Sequence, residues 1–192
     1  LNKVRNQATE FYPNHNNDVR QHERWFKHWH DFAQNNLFGI EISEQISRAA
    51  KMNMIIHDDG HTNVITSDGL ISDSAIFERT ANKGFEYGTF DFIITNPPFG
   101  STIRQSEQAY LKTYQLGKKE EDWLAVKSQP EIIRDGQNTE VLFIEQDYKF
   151  LKEGGYLAIV LPDGILTNSS MQYVRTQIED WFRIVAVVSM PQ

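Results

Sequence analysis

The sequence predicts an α/β fold, a doubly wound and mostly parallel sheet, on three observations. Short apolar runs alternate with amphipathic stretches of helical period, the pattern that builds βα units. The runs are apolar throughout rather than at every second residue, "YLAIVLP" (156–162) most clearly, as strands covered by helices on both faces require. Three segments also end on polar residues, Glu41, Asp68 and Asn96, at what would be the carboxyl edge of such a sheet, where open α/β folds bind ligands.

In chain order, residues 1–36 read as a polar helical segment interrupted by "FYPNHNND" at 11–18. Trp25, Phe26, Trp29 and Phe32 fall at helical spacing and predict an apolar stripe. Four of the six histidines lie between 15 and 30, but no carboxylate–histidine spacing resembles a ligand set, so a half-buried aromatic helix is expected there and no metal. "LFGIEI" (37–42) is a strand, followed by an amphipathic helix in "SEQISRAAKMNMIIH" capped by Ser43. "NVITSDGL" (63–70) and "TFDFIITN" (89–96) are the next strands. Residues 101–137 are polar without a sustained period and predict a long excursion with one or two short helices; a loop of that length is usually functional or mobile. A helix over 139–155 carries Val141, Phe143, Ile144, Tyr148 and Leu151 and is expected to stop at two glycines. The strand 156–162, the helix "MQYVRTQIEDWF" and a fifth strand, "RIVAVVSM" (183–190), complete the pattern. No internal repeat or low-complexity tract occurs.

Composition narrows the function. With 192 residues, 40% apolar and 12% aromatic, the chain is long enough for one domain or slightly more, burying about 70% of its unfolded surface. The absence of cysteine excludes disulfides and thiolate metal sites and suits a reducing cytoplasm. No apolar run approaches the ~20 residues of a membrane span, and no basic-then-apolar leader opens the sequence, so a cytoplasmic protein without membrane contact is expected. A net charge of −7 argues against a freestanding nucleic-acid binder held mainly by phosphate contacts. It leaves room for a nucleic-acid enzyme whose basic contacts are local or come from a partner. The leucine start and the stop just after "IVAVVSMPQ" suggest a segment of a larger protein.

"DFIITNPPFG" (91–100) carries the most specific chemistry. Each proline fixes its own φ, and Pro97 also pushes Asn96 out of the helical region. The rigid turn formed by Pro97 and Pro98 would therefore present the Asn96 side-chain oxygen and the Pro97 carbonyl as two acceptors. Two converging acceptors suit a primary amino group, and Phe99 offers a flat face for a planar base. At the other strand ends, Glu41 could accept from both hydroxyls of a ribose, or serve as an acidic charge at a helix N-terminus. Asp68 could accept from an exocyclic amino group, with Gly69 giving its turn the freedom to wrap a ligand, or the pair could be an ordinary Asp-Gly turn.

"NPPF" at 96–99 resembles the catalytic motif of amino-group methyltransferases that use S-adenosylmethionine, in particular adenine-specific DNA methyltransferases. "LFGIEISEQISRAAKMNMIIH", "NTEVLFIEQDYKFLKEGGYLAIVLPDGIL" and "VRTQIEDWFRIVAVVSMP" resemble the modification subunit of type I restriction–modification systems. The resemblance covers Leu37 to the end, the partial catalytic domain with its 101–137 excursion. Residues 1–36 match loosely, as the helix preceding the second strand of that Rossmann-like fold. It implies that Glu41 holds the cofactor ribose, that Ile42 packs on the cofactor's adenine and that Asp68 accepts from its amino group, with Gly69 and Asn96 beside them. It further implies that Asn96 and Pro97 bind the amino group of an adenine flipped out of double-stranded DNA, while Phe99 stacks on the base. A separate specificity subunit is implied for site recognition, with a restriction subunit as a further partner of such systems.

The sequence departs from the family in one respect. The family's glycine-rich cofactor loop has no counterpart in residues 1–38, where no glycine occurs, so it is expected upstream of Leu1; a second stacking aromatic is expected beyond Gln192. The segment alone is accordingly expected to be inactive. Two other readings stay open on the residues. One is an amino-group methyltransferase of RNA or of a protein glutamine, although enzymes acting on the side-chain amide usually carry tyrosine where Phe99 stands and lack the excursion. The other is a non-catalytic assembly module without the cofactor loop.

Overall fold

A computed structural model describes residues 2–57, 63–104, 109–119 and 133–190. They divide into two compact units, Leu1–Glu86 and Tyr87–Gln192. The first unit opens with α1 (Asn2–Phe11) and α2 (Val19–Asn36). Between them, the Asp18 carboxylate accepts from the N–H groups of Arg20 and Gln21 and so caps α2. Of the expected aromatic stripe only Trp29 is fully buried, with Ala8 and Ala33; Phe26 and Phe32 stay about 40% exposed. The Arg5 guanidinium lies 4.0 Å above the Trp29 ring, and the Trp25 Nε1–H donates to the Thr9 hydroxyl. The histidines make ring contacts: His15 stacks on Trp25 and His30 on Phe26. Among the described residues no group of histidines and carboxylates is placed to hold a metal ion.

Next come β1 (Gly39–Glu41), α3 (Glu44–Ile56), β2 (Val64–Thr66) and α4 (Asp73–Thr80). β1 and β2 are parallel neighbours, with Glu41 opposite Thr66. A parallel pair needs a crossover, and α3 supplies it, its N-terminus capped by the Ser43 hydroxyl as the sequence predicts. Val64, Ile65, Leu70, Ile71, Ile76 and Phe85 form the buried apolar set of this part. The helix α4, which the sequence reading did not assign, is capped by Ser72 and ends at Ala81 with a left-handed φ of 57°.

The second unit contains β3 (Phe90–Thr95), β4 (Thr102–Arg104), a 3-10 turn (Ala109–Thr113), β5 (Gly136–Asn138), α5 (Thr139–Phe150), β6 (Leu151–Ile159), α6 (Asp163–Thr167) and α7 (Gln172–Trp181). β3 and β6 pair in parallel; β4 and β5 pair antiparallel. The described strands thus form three two-stranded sheets, two of them parallel, in a mixed helix–strand fold. Val141 and Ile144 of α5 pack with Leu116, Ile165 and Val174 in the core of this unit.

Three expectations are corrected here. α5 stops at Phe150 rather than at the glycines, because the Gly88 and Thr89 N–H groups take the Lys149 and Phe150 carbonyls and the chain turns into the sheet. Gly154, with φ of 77°, instead serves a bulge within β6, where the pairing jumps from Phe90–Leu151 to Phe92–Tyr156. β6 is not buried on both faces: it alternates between half-buried and exposed residues, with Tyr156 stacked on the equally exposed Phe92. Residues 183–190 form no strand among the described residues, and Val185 and Val188 are 80% exposed, since an apolar run without a paired neighbour has no ladder to join.

The excursion after β3 is tied down where it is described. The Glu145 carboxylate accepts from the N–H groups of Gln115 (2.9 Å) and Leu116 (2.8 Å), and Lys149 stands 2.9 Å from it. Gln137 donates to the Leu116 carbonyl and contacts the Tyr173 hydroxyl. Residues 105–108 and 120–132, on which part of the expected helical content falls, lie outside the described residues. Two residues after Glu145, Asp147 is buried with no hydrogen-bond partner for its Oδ2 among the described residues, and burial pushes its carboxyl from the ordinary 3.8 up to about 8.

Candidate active site

In the first unit the strand ends bring Glu41 and Asp68 to one edge. Glu41 closes β1, and its backbone carbonyl accepts from Ser67 N–H at 3.1 Å, which carries the pairing with β2 one residue beyond Thr66. Its Oε1 accepts from the Ser43 N–H at 2.7 Å, so the side chain helps shape the entry to α3 while the other oxygen has no hydrogen bond among the described residues. Ile42, beside it, is 71% exposed, a large apolar surface at a strand end. Asp68 is half-buried, and its Oδ1 accepts from the Leu70 N–H at 2.9 Å. This side-chain turn shapes residues 68–70, with Gly69 half-buried within it.

In the second unit β3 delivers Asn96 to its carboxyl end. The Thr95 carbonyl accepts from the Val160 N–H at 3.1 Å, extending the parallel pairing to the last strand residue. From there the chain leaves the sheet: Asn96 is exposed, Pro97 buried, Pro98 exposed, and Phe99 48% exposed. The Asn96 side chain makes no hydrogen bond to any described residue, and neither does the Pro97 carbonyl. Gly100 then takes a left-handed φ of 74° and turns the chain toward Ser101. The Ser101 carbonyl accepts from both the backbone N–H and the hydroxyl of Thr139, each at 2.9 Å. Two acceptors and a half-exposed ring thus stand on one turn, held at both ends and unoccupied by protein hydrogen bonds between them.

A family model for N-6 DNA methylases matches residues 19–192. The chain belongs to the N-6 DNA methylase family.

Within this N-6 DNA methylase domain, the NPPF turn and the Glu41 and Asp68 strand ends all fall inside the matched residues. Among curated proteins, the chain is 26% identical over 140 residues to the "Type II restriction enzyme and methyltransferase RM.BcgI" of Heyndrickxia coagulans. That alignment takes in 73% of this chain but spans only 16% of the relative's length. No described helix is long and apolar enough to cross a membrane.

Sequence reasoning did not identify Thr139 as part of the NPPF setting. The two residues of the Ser101–Thr139 contact are 38 apart, and no local pattern announces it. The nearest signal is the polar "NT" opening an apolar helix at 138–139, which reads only as a helix start.

Proposed function

We propose that this domain transfers a methyl group from S-adenosylmethionine to the exocyclic N6 amino group of adenine in DNA, as part of a restriction–modification system. The observation that carries the reading is the NPPF turn itself, whose Asn96 amide and Pro97 carbonyl make no protein hydrogen bonds among the described residues. An adenine amino nitrogen is a poor nucleophile because its lone pair is delocalised into the ring. Accepting both of its hydrogens at Asn96 and Pro97 favours a more tetrahedral nitrogen with a directed lone pair. Phe99 supplies the stacking face, and Pro98 keeps the turn rigid. Catalysis is then positioning plus oriented dipoles, with no general base required before attack. The methylated nitrogen becomes acidic and gives its proton to water.

The first unit supplies groups that fit a nucleoside. Glu41, with one carboxylate oxygen open, would accept from ribose hydroxyls; Ile42 would cover an adenine face; and Asp68, with Gly69 in its turn, would receive an amino group. S-adenosylmethionine, when bound, supplies an electrophilic methyl group on a sulfonium. The target adenine must leave the duplex to reach the turn, at a cost of a few kcal/mol. We also infer a doubly wound, Rossmann-like α/β fold for the intact methyltransferase and that it works in a cytoplasmic assembly. A chain of net charge −7 would take its sequence recognition from a specificity subunit, as in type I systems, with a restriction subunit as a further partner. The relative's name couples restriction with methyl transfer and supports that setting.

Transfer of tritiated methyl groups by the intact protein, offered DNA, RNA and protein in parallel, tests the reading. Label should enter DNA and be recovered as N6-methyladenine. Label in RNA or in a glutamine amide would replace the substrate assignment, and failure to bind the cofactor would favour a non-catalytic module.

A further inference from the structure

We propose that Thr139 is a positioning residue for methyl transfer, clasping the far end of the NPPF turn and so fixing where Phe99 presents its ring. The inference rests on the functional reading above and concerns a residue outside the motif. Residues 96–100 make no backbone–backbone hydrogen bond of their own among the described residues, and two of the five are prolines without an N–H. The turn therefore takes its position from its two ends. Upstream, the Thr95 carbonyl is fixed by the β3–β6 ladder. Downstream, the Ser101 carbonyl is fixed, among the described residues, by Thr139 alone, through two donors at 2.9 Å.

Thr139 is suited to the task because it does not move independently. It is 5% exposed and is the first residue of α5, in whose first turn Glu140 is buried and Val141 and Leu142 are fully buried. Asn138 before it pairs with Thr102 in the β4–β5 ladder, so both strands leaving the clasp are also tied. Between Phe99 and this anchor stands Gly100, whose left-handed backbone has open space where a side chain would be. A carbonyl gripped by one donor rather than two, one residue past such a swivel, leaves the ring free to shift. Displacements of about 1 Å at a remote support can cost on the order of 10²-fold in rate.

The test compares Thr139→Val, Thr139→Ala and Thr139→Ser in the intact protein with its natural subunits. Valine and alanine remove the hydroxyl; serine retains it. We expect kcat on DNA to fall roughly 10- to 100-fold in the valine and alanine variants. The cofactor dissociation constant and the thermal midpoint should stay near parental values, and serine should restore kcat to within a few-fold. A 2-aminopurine placed at the target adenine reports stacking, and its fluorescence on binding should be higher in the alanine variant than in the parent or the serine variant. If valine does not fold, the alanine–serine pair, which differ by a single hydroxyl, decides. Equal kcat for alanine and the parent, or a serine variant as slow as alanine, overturns the clasp while leaving the function standing. A parent that transfers no methyl group to DNA overturns both.

Discussion

At the end of β1 the Glu41 carboxylate gives one oxygen to the Ser43 N–H, and after β2 the Asp68 carboxylate takes the Leu70 N–H. At the end of β3, Asn96 and the Pro97 carbonyl make no such contact among the described residues. The first edge shapes its loops with the same carboxylates that would hold a ligand. The second has its shape set by two prolines and by the Thr95 and Ser101 anchors, and keeps its acceptors open. The contrast teaches that Glu41 and Asp68 each commit a carboxylate oxygen to their own loop, whereas the Asn96 side chain commits nothing to any described residue. Substitutions at the two edges should therefore fail in different ways.

The largest effect is expected at the open acceptor. Asn96→Ala should lower methyl transfer by about 10²- to 10³-fold, the scale of losing one oriented polar group at a reacting centre, with cofactor affinity and thermal midpoint unchanged. Rate assays alongside equilibrium binding check this, and a comparable fall in the midpoint would erase the contrast.

Next is the buried Asp147 carboxyl of α5 in the second unit. Asp147 ionises near 4 in the unfolded chain and at about 8 in the folded one, because burial penalises its charge. Between those values only the unfolded chain releases the proton. Its contribution to stability is therefore fully present below about pH 4, declines as pH rises toward 8, and is level above. Asp147→Asn should flatten that part of the stability–pH curve measured by urea unfolding; an unchanged slope would show that the carboxyl is ionised in the fold.

At the engaged edge, Asp68→Ala should do two things at once. Loss of a hydrogen bond to a charged acceptor, about 1.5–3 kcal/mol, should weaken cofactor binding roughly 10- to 100-fold. The same substitution should lower the thermal midpoint, because the Leu70 N–H loses its acceptor. Calorimetry and thermal unfolding read the pair, and weakened binding with an unmoved midpoint would place Asp68 with Asn96 rather than against it. The smallest effect is expected from Phe99→Leu, which keeps apolar contact and loses the flat face. About 1 kcal/mol of stacking corresponds to a roughly 5-fold rise in KM for DNA with cofactor binding untouched.

Much of this was legible in local sequence. The cap at Ser43, the end of β1 at Glu41 and the exit of β3 into Asn96 follow from residue types within a few positions of each other. What was not legible involves partners far apart. The end of α5 at Phe150 depends on the Gly88 and Thr89 N–H groups some sixty residues earlier, and the two glycines at 154–155 looked locally like the stop. The run 183–190 has strand composition but no paired neighbour among the described residues.

By itself, the sequence determined the rigidity of the NPPF turn, because proline's ring fixes φ whatever surrounds it. It also determined the chemistry of that turn, since an amide oxygen, a carbonyl and a ring follow from residue identity alone. Only the tertiary structure decided which acceptors stay open and what holds the turn in place. Glu41 and Asp68 could each have pointed away from their own loops, and nothing near Ser101 in the chain names Thr139 as its support. Hydrogen bonds between distant residues form only where packing has already brought their donors and acceptors together, and that is a property of the folded chain rather than of any local stretch.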